Sequence, residues 1–192
     1  MTEKSSKSAL TSKKGIFTDS DLTQKFTITN AIEITFRPVT INDSPLWKEF
    51  IEKCSKNSLY SRFQTISSIL KEQGELYCQT DYEYTITLGV FINTVKQEQL
   101  IGAAWLLKEN ETNNVELALL IADSWQHKGI GTKLSEMCRN IILKWGVEGV
   151  MGTTTLDNLE VKQMLNKNNI AFRNSFGDNS LEFDLSLEEM AL

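Results

Sequence analysis

Histidine is almost absent from this chain of 192 residues, which has a single one, His127. Most histidine-based triads and multi-histidine metal sites are therefore excluded unless His127 takes part, and no metal is expected. Cysteine is scarce as well. Cys54, Cys78 and Cys138 are odd in number and fit no zinc or redox spacing, so reduced thiols of a cytoplasmic protein are expected. Only two prolines occur, Pro38 and Pro45, which leaves most of the chain free for regular structure. No apolar run reaches membrane-spanning length, and the first residues lack the apolar core of a secretory signal. No membrane partner is expected. Long blocks of one charge are missing too. With a net charge of -5 there is no basic surface for a nucleic acid.

What remains has the balance of an ordinary globular chain, and its length suits one domain. Residues 1–15 are rich in Ser, Lys and Thr and read as a disordered tail, with the domain over 16–192. Residues 32–36 alternate apolar and polar and predict a strand. Asn42-Asp43-Ser44-Pro45 opens a helix that ends near Cys54. Short helices are expected over 58–63 and 66–76, then strands over 82–92 and 99–107 joined by a hairpin. The next strand, 115–121, leads into a long helix from Gly129. Its apolar stripe is Ile130, Leu134, Met137, Cys138, Ile141, Ile142 and Trp145. A strand over 150–155, a helix over 158–167 capped at Asn169, and two strands over 171–173 and 181–185 complete the order. The expected fold is α/β (α+β): one domain, with a mixed, mostly antiparallel central sheet and helices on both faces.

The turn Gln126-His127-Lys128-Gly129-Ile130-Gly131-Thr132 stands between a strand and the longest helix. Two glycines there leave backbone N–H groups of a helix N-terminus open to phosphate oxygens. The same glycines could instead serve a tight turn that lets the helix pack closely. A Walker-type nucleotide site is excluded, because Thr132-Lys133 follows Gly131 and the Gly-Lys-Ser/Thr order is missing. The preceding strand carries one carboxylate, Glu116, on a face shared with Ala118 and Leu120. Desolvation among apolar neighbours would make it a stronger base. The alternative is a glutamate near a strand end that points to water.

With these residues assembled, the chain resembles the GNAT superfamily of N-acyltransferases. The family's acyl-CoA signature, Gln/Arg-x-x-Gly-x-Gly/Ala, corresponds to Gln126-x-x-Gly129-x-Gly131. The resemblance extends over about residues 32–186 and is strongest to the GNAT domain of bacterial protein lysine acetyltransferases. It rests on Arg37-Pro38, Ser58-x-Tyr60-x-Arg62-Phe63, Asp81-Tyr82, Glu116-x-Ala118 and Asp123-x-Trp125-Gln126.

The resemblance implies an acetyl-CoA-dependent N-acetyltransferase acting on a primary amine, with a protein lysine as the first acceptor class. A small amine, or an acyl-CoA-binding module without catalysis, are the alternatives. It implies that main-chain N–H groups over Gln126, His127, Lys128, Gly129, Ile130, Gly131 and Thr132 hold the CoA pyrophosphate. The strand edge at Leu119 and Ile121 would hydrogen-bond the pantetheine arm, joined by Asn158, where the two central strands splay apart. Glu116 would be the general base, and the N–H of Leu119 would meet the oxyanion. Where many members carry a tyrosine as general acid, this chain has Leu165; Tyr60 and Tyr82 are candidates for that role or for packing. Arg62 either lines the acceptor cleft or pairs with an acid.

Overall fold

The computed structural model describes residues 16–28, 31–63, 68–109, 111–156, 158–159, 161–162, 166, 172–174 and 180–186. The readings of the tail 1–15, of Leu165 and of the cap at Asn169 fall outside the described residues.

Two elements precede the first expected strand: α1 (Asp19–Leu22) and β1 (Gln24–Ile28). Then come β2 (Ile32–Pro38), α2 (Ser44–Lys53), α3 (Lys56–Phe63), α4 (Gly74–Tyr77), β3 (Thr85–Asn93), β4 (Glu98–Lys108), β5 (Asn114–Ile121), α5 (Ile130–Trp145), β6 (Gly149–Thr155), β7 (Phe172–Asn174) and β8 (Ser180–Ser186). Among the described residues, eight strands form one sheet in the order β1-β2-β3-β4-β5-β6-β8-β7. Every neighbouring pair is antiparallel except β5 and β6, which run parallel with α5 as their crossover.

The sheet separates two cores. On one face α5 buries Ile130, Leu134, Met137, Cys138, Ile141, Ile142 and Trp145, the stripe expected from the sequence, against Val115, Ile86, Leu88 and Val90. On the other face α2, α3 and α4 enclose Trp47, Phe50, Phe91 and Trp105. Trp47 stacks on Tyr77 with ring centroids 4.7 Å apart, and Phe63 and Trp105 meet these rings edge-on. Such packing adds to the burial of large apolar area.

Some boundaries differ from expectation for local reasons. The strand expected from residue 82 begins at Thr85. Asp81 Oδ1 accepts the N–H groups of Glu83, Tyr84 and Thr85, and Tyr82 takes a left-handed φ of 65°, so the chain turns there. The helix expected over 66–76 is a 3-10 segment, Ser68–Glu72, followed by α4. Gly74 begins α4 where a Cβ would stand 2.8 Å from the carbonyl oxygen of Ser44. Asp43 precedes α2 but does not cap it. Its carboxylate accepts instead from Thr40 N–H and from Arg37.

Candidate active site

Strands β5 and β6 pair only from Asn114↔Gly149 to Glu116↔Met151. Beyond Glu116 they part, although β5 runs on to Ile121 and β6 to Thr155. The ladder with β4 fixes which groups face the gap. Ala122 donates to Ile101 O at 2.9 Å, on the β4 side, so alternation points the backbone groups of Ile121, Leu119 and Leu117 away from β4. Helix α3 lies across the opening, where Ser61 Oγ meets Thr155 Oγ1 at 3.2 Å. The result is a slot of about 690 Å3 running from Gln126 and Gly131, past Leu119 and Ala118, to Thr153 and Asn158.

At one end of the slot stands the N-terminus of α5. No side chain caps it. Its first ladder bond runs from Lys133 N–H to Gly129 O at 3.1 Å, which leaves the N–H groups of Ile130, Gly131 and Thr132 ahead of the ladder. His127 and Gly129 take left-handed φ values of 58° and 78°, which turn the chain sharply into the helix. A Cβ at Gly129 or Gly131 would meet nothing within 4 Å. Close packing within the protein therefore does not explain Gly131. The open space there leaves room for close approach from outside the chain. Uncapped amides, a helix dipole and empty space together fit a diphosphate. Lys128 and Thr132 are exposed beside them.

The main-chain N–H of Gln126, expected among the pyrophosphate donors, instead donates to Asp123 O at 3.2 Å, and its side chain turns inward as well. Its Nε2 donates to Ile121 O at 2.9 Å and to Ser58 Oγ at 3.3 Å, so both amide hydrogens are engaged within the protein. Of the groups expected to form the strand edge, the carbonyl of Ile121 already has a partner. Asp123 completes this join. It accepts from Ser55 N–H at 2.7 Å and from Ser58 Oγ at 3.0 Å, tying the start of α3 to the turn that leads into α5. Burial opposes its charge, but these hydrogen bonds outweigh that and hold its pKa below the ordinary carboxylate value. The sequence displayed the Asp-x-Trp-Gln motif. The inward bonding of its polar ends needed the tertiary contact with Ser58. Asn158 lines the slot, with Oδ1 accepting from Val161 N–H at 3.2 Å and Nδ2 donating to Thr154 Oγ1 at 2.9 Å. Among the described residues its second amide hydrogen has no recorded partner.

Glu116 lies where the strands separate, but the expected burial is absent: it is exposed. Its cross-strand neighbour Leu107 is exposed as well, because none of the described helices covers this end of the sheet face. Glu116 lines a second cavity, of about 510 Å3, which borders the slot along Thr153 and Phe183. Among the described residues four carboxylates line it, those of Glu109, Glu116, Glu182 and Asp184, against one arginine, Arg173, which is 3.1 Å from Glu182. Phe183 crosses Gly152, where a Cβ would collide with its ring. Neither Tyr60 nor Tyr82 lines either cavity, so neither is placed as the expected acid. Tyr60 faces solvent, and Tyr82 packs on the α5 core. The three thiols are buried, and desolvation pushes Cys54, Cys78 and Cys138 up to about 12.

Residues 56–169 match the profile of the Acetyltransferase (GNAT) family. The chain belongs to this family. The match includes α3, the splayed strands, the glycine turn before α5 and Asn158. The fold agrees with that of the GNAT domain of PAT from S. lividans at TM-score 0.73 and 16% identity, over 89% of this chain and all of that domain. The Thermoplasma acidophilum PaiA N-acetyltransferase, solved with coenzyme A, is similar at TM-score 0.61 and 19% identity, covering 80% of this chain and 98% of that one. Mycobacterium smegmatis RimJ, solved with CoA-disulfide, is similar at TM-score 0.64 and 11% identity, covering 88% and 89%. The GNAT protein is thus an acetyltransferase enzyme of a fold that takes acetyl-CoA as co-substrate. Among its described residues no group of His, Cys, Asp and Glu could hold a metal ion, and no helix is long and apolar enough to cross a membrane.

Proposed function

We propose that this GNAT enzyme moves an acetyl group from acetyl-CoA to a primary amine, with Glu116 as general base. The observation that supports this reading best is the junction of the two cavities at the point where β5 leaves β6, with Glu116 at that point. Ile130, Gly131 and Thr132 would hold the diphosphate through their N–H groups, aided by the turn over Gln126, His127, Lys128 and Gly129. Leu119 and the N–H of Ile121 would hydrogen-bond the pantetheine arm, and Asn158 would contribute its remaining amide hydrogen. The co-substrate supplies an acetyl group already activated as a thioester.

The chain's own residues do the rest. The acid-lined cavity attracts an ammonium ion and holds it near Glu116. Glu116 accepts one of its protons, directly or through a water, which frees a lone pair for attack. The N–H of Leu119 faces the gap where negative charge would gather on the carbonyl oxygen. No tyrosine lines the site as an acid, and a thiolate is a good enough leaving group to depart without one. A protein lysine is the acceptor class proposed, on the resemblance to protein acetyltransferases and the acidic lining, and a cytoplasmic location belongs to the same proposal.

The test is thiol release from acetyl-CoA in the presence of a lysine-rich protein mixture, with wild type and Glu116→Gln compared. Wild type should turn over. The variant should bind CoA equally and lose about 10²- to 10⁴-fold in rate. If both bind CoA and neither acetylates any amine, the protein binds acyl-CoA without catalysis and the proposal is wrong.

A further inference from the structure

Arg62 has no use in the chemistry above, yet it is the least accommodated charge in the site. It projects from α3 into the slot beside Leu117 and Ala118. Its Nε is buried without a hydrogen-bond partner. Among the described residues no carboxylate lies within ion-pair distance of it, so the pairing role left open by the sequence finds no partner among them. What it has is two aromatic rings: Cζ stands 4.8 Å from the centroids of both Phe63 and Trp105. Ring faces attract a cation but do not satisfy its N–H groups. Burial pushes its pKa down, against the opposing field of Glu116. Folded proteins keep few such groups unmatched, and those that persist call for a reason.

The register places this cation. Trp105 pairs with Ala118, and Leu107 pairs with Glu116. The ring under Arg62 is thus one cross-strand step of two residues from Glu116, or about 7 Å along the strand. The phosphate turn lies beyond Ile121, in the other direction along β5, so a CoA phosphate does not account for Arg62. Two opposite charges line adjoining cavities, Arg62 the slot and Glu116 the acid-lined one, without an ion pair between them. A molecule with an ammonium and a carboxylate a few bonds apart spans such a gap, with one hydrogen bond at each end.

We propose that Arg62 binds a carboxylate of the acceptor, so that the enzyme acetylates amines that carry a carboxylate close by. The inference rests on the N-acetyltransferase reading and narrows its acceptor. The carboxylate has two possible sources: the acceptor's own, in a free amino acid, or an acidic side chain beside the target lysine of a protein. Planar guanidinium and planar carboxylate match in a paired geometry that an amide cannot copy.

Matched acceptors test this. One arm uses L-amino acids and their carboxamides. The other uses lysine peptides with glutamate or glutamine next to the lysine. In the arm that holds the true source, wild type should favour the carboxylate by roughly ten- to hundredfold in kcat/KM, the worth of one charged hydrogen-bonded contact. Arg62→Met should erase that preference through KM of the acceptor, with KM of acetyl-CoA unchanged, and Arg62→Lys should restore part of it. No preference in either arm overturns the proposal. So does an equal loss on carboxylates and carboxamides in Arg62→Met, which would assign Arg62 to the reacting carbonyl or to folding. Calorimetric binding of the same compounds to the CoA-loaded protein separates the two claims. Carboxylate-selective binding that needs Arg62 without any turnover keeps this inference and removes the transfer reaction, whereas no selective binding and no turnover removes both.

Discussion

The substitution Gly131→Leu separates ligand binding from folding at one position. In the folded chain a Cβ at 131 would point into open space, and the residue has ordinary helical backbone near the start of α5. Within a helix leucine is favoured over glycine by about 0.8 kcal/mol, and by less in the first turn. The variant should therefore be as stable as wild type or more stable by up to about 0.8 kcal/mol, a rise in Tm of no more than about 3 °C. Binding should move the other way. The new side chain would occupy the space where phosphate oxygens approach the N–H groups of Ile130, Gly131 and Thr132. Losing one charged hydrogen bond costs about 1.5–3 kcal/mol, so the Kd for CoA should rise at least about tenfold. Gly131→Ala is the control. Its methyl group is short, and the family signature admits alanine, so it should gain stability and keep most of its affinity. Isothermal titration with CoA, and thermal unfolding without it, give both quantities. A Gly131→Leu protein that binds CoA within about twofold of wild type would place the diphosphate elsewhere. A loss of more than about 1 kcal/mol of stability would show that the glycine serves packing after all.

The Arg37–Asp43 pair makes stability sensitive to acid. Burial opposes the Asp43 charge, but Arg37 and Thr40 hydrogen bonds hold its pKa below the unfolded value. Its contribution is therefore fully present above about pH 4 and should fade as pH drops through the lower folded pKa. Asp43→Asn should lose about 3 kcal/mol at pH 7 and show a flatter acid limb in denaturant titrations, whereas an unchanged limb would refute the assignment. The buried thiols should not react with Ellman's reagent at pH 8 in the native protein and should react fully in guanidinium, which also keeps the thiol-release assay free of background. Reaction of one thiol at the native rate of a free cysteine would show that its cover opens. Because Glu116 is exposed, Glu116→Gln should change stability by no more than about 0.5 kcal/mol, so a large shift in its unfolding curve would point to a structural role.

Local pattern carried much of the fold into view. The seven apolar positions from Ile130 to Trp145 recur at helical spacing, and α5 buries the same seven. Alternation along β5 separates Leu117, Leu119 and Ile121, packed towards α5, from Ala118 and Leu120, packed towards α2. By contrast, α1 and β1 gave little signal. Gln24 and Lys25 are exposed on an edge strand, and burial of Phe17, Leu22 and Ile28 is a tertiary matter. The acid-lined cavity was not visible either, since Glu109, Glu116, Glu182 and Asp184 come together only across four strands and a chain separation of more than sixty residues.

The amino-acid order by itself determined where backbone amides meet open space: a strand, a turn with Gly129 and Gly131, then a long amphipathic helix. Those are features of adjacent residues, governed by backbone geometry and periodicity. Solvation and pairing of the charged groups were decided only when distant segments met. Glu116 lies open to water because none of the described helices covers its end of the sheet face, Gln126 turns inward because Ser58 is there, and among the described residues no element around Arg62 brings an acid within ion-pair distance. A side chain's dielectric surroundings and partners come from everything packed about it, and spacing along the chain does not encode that.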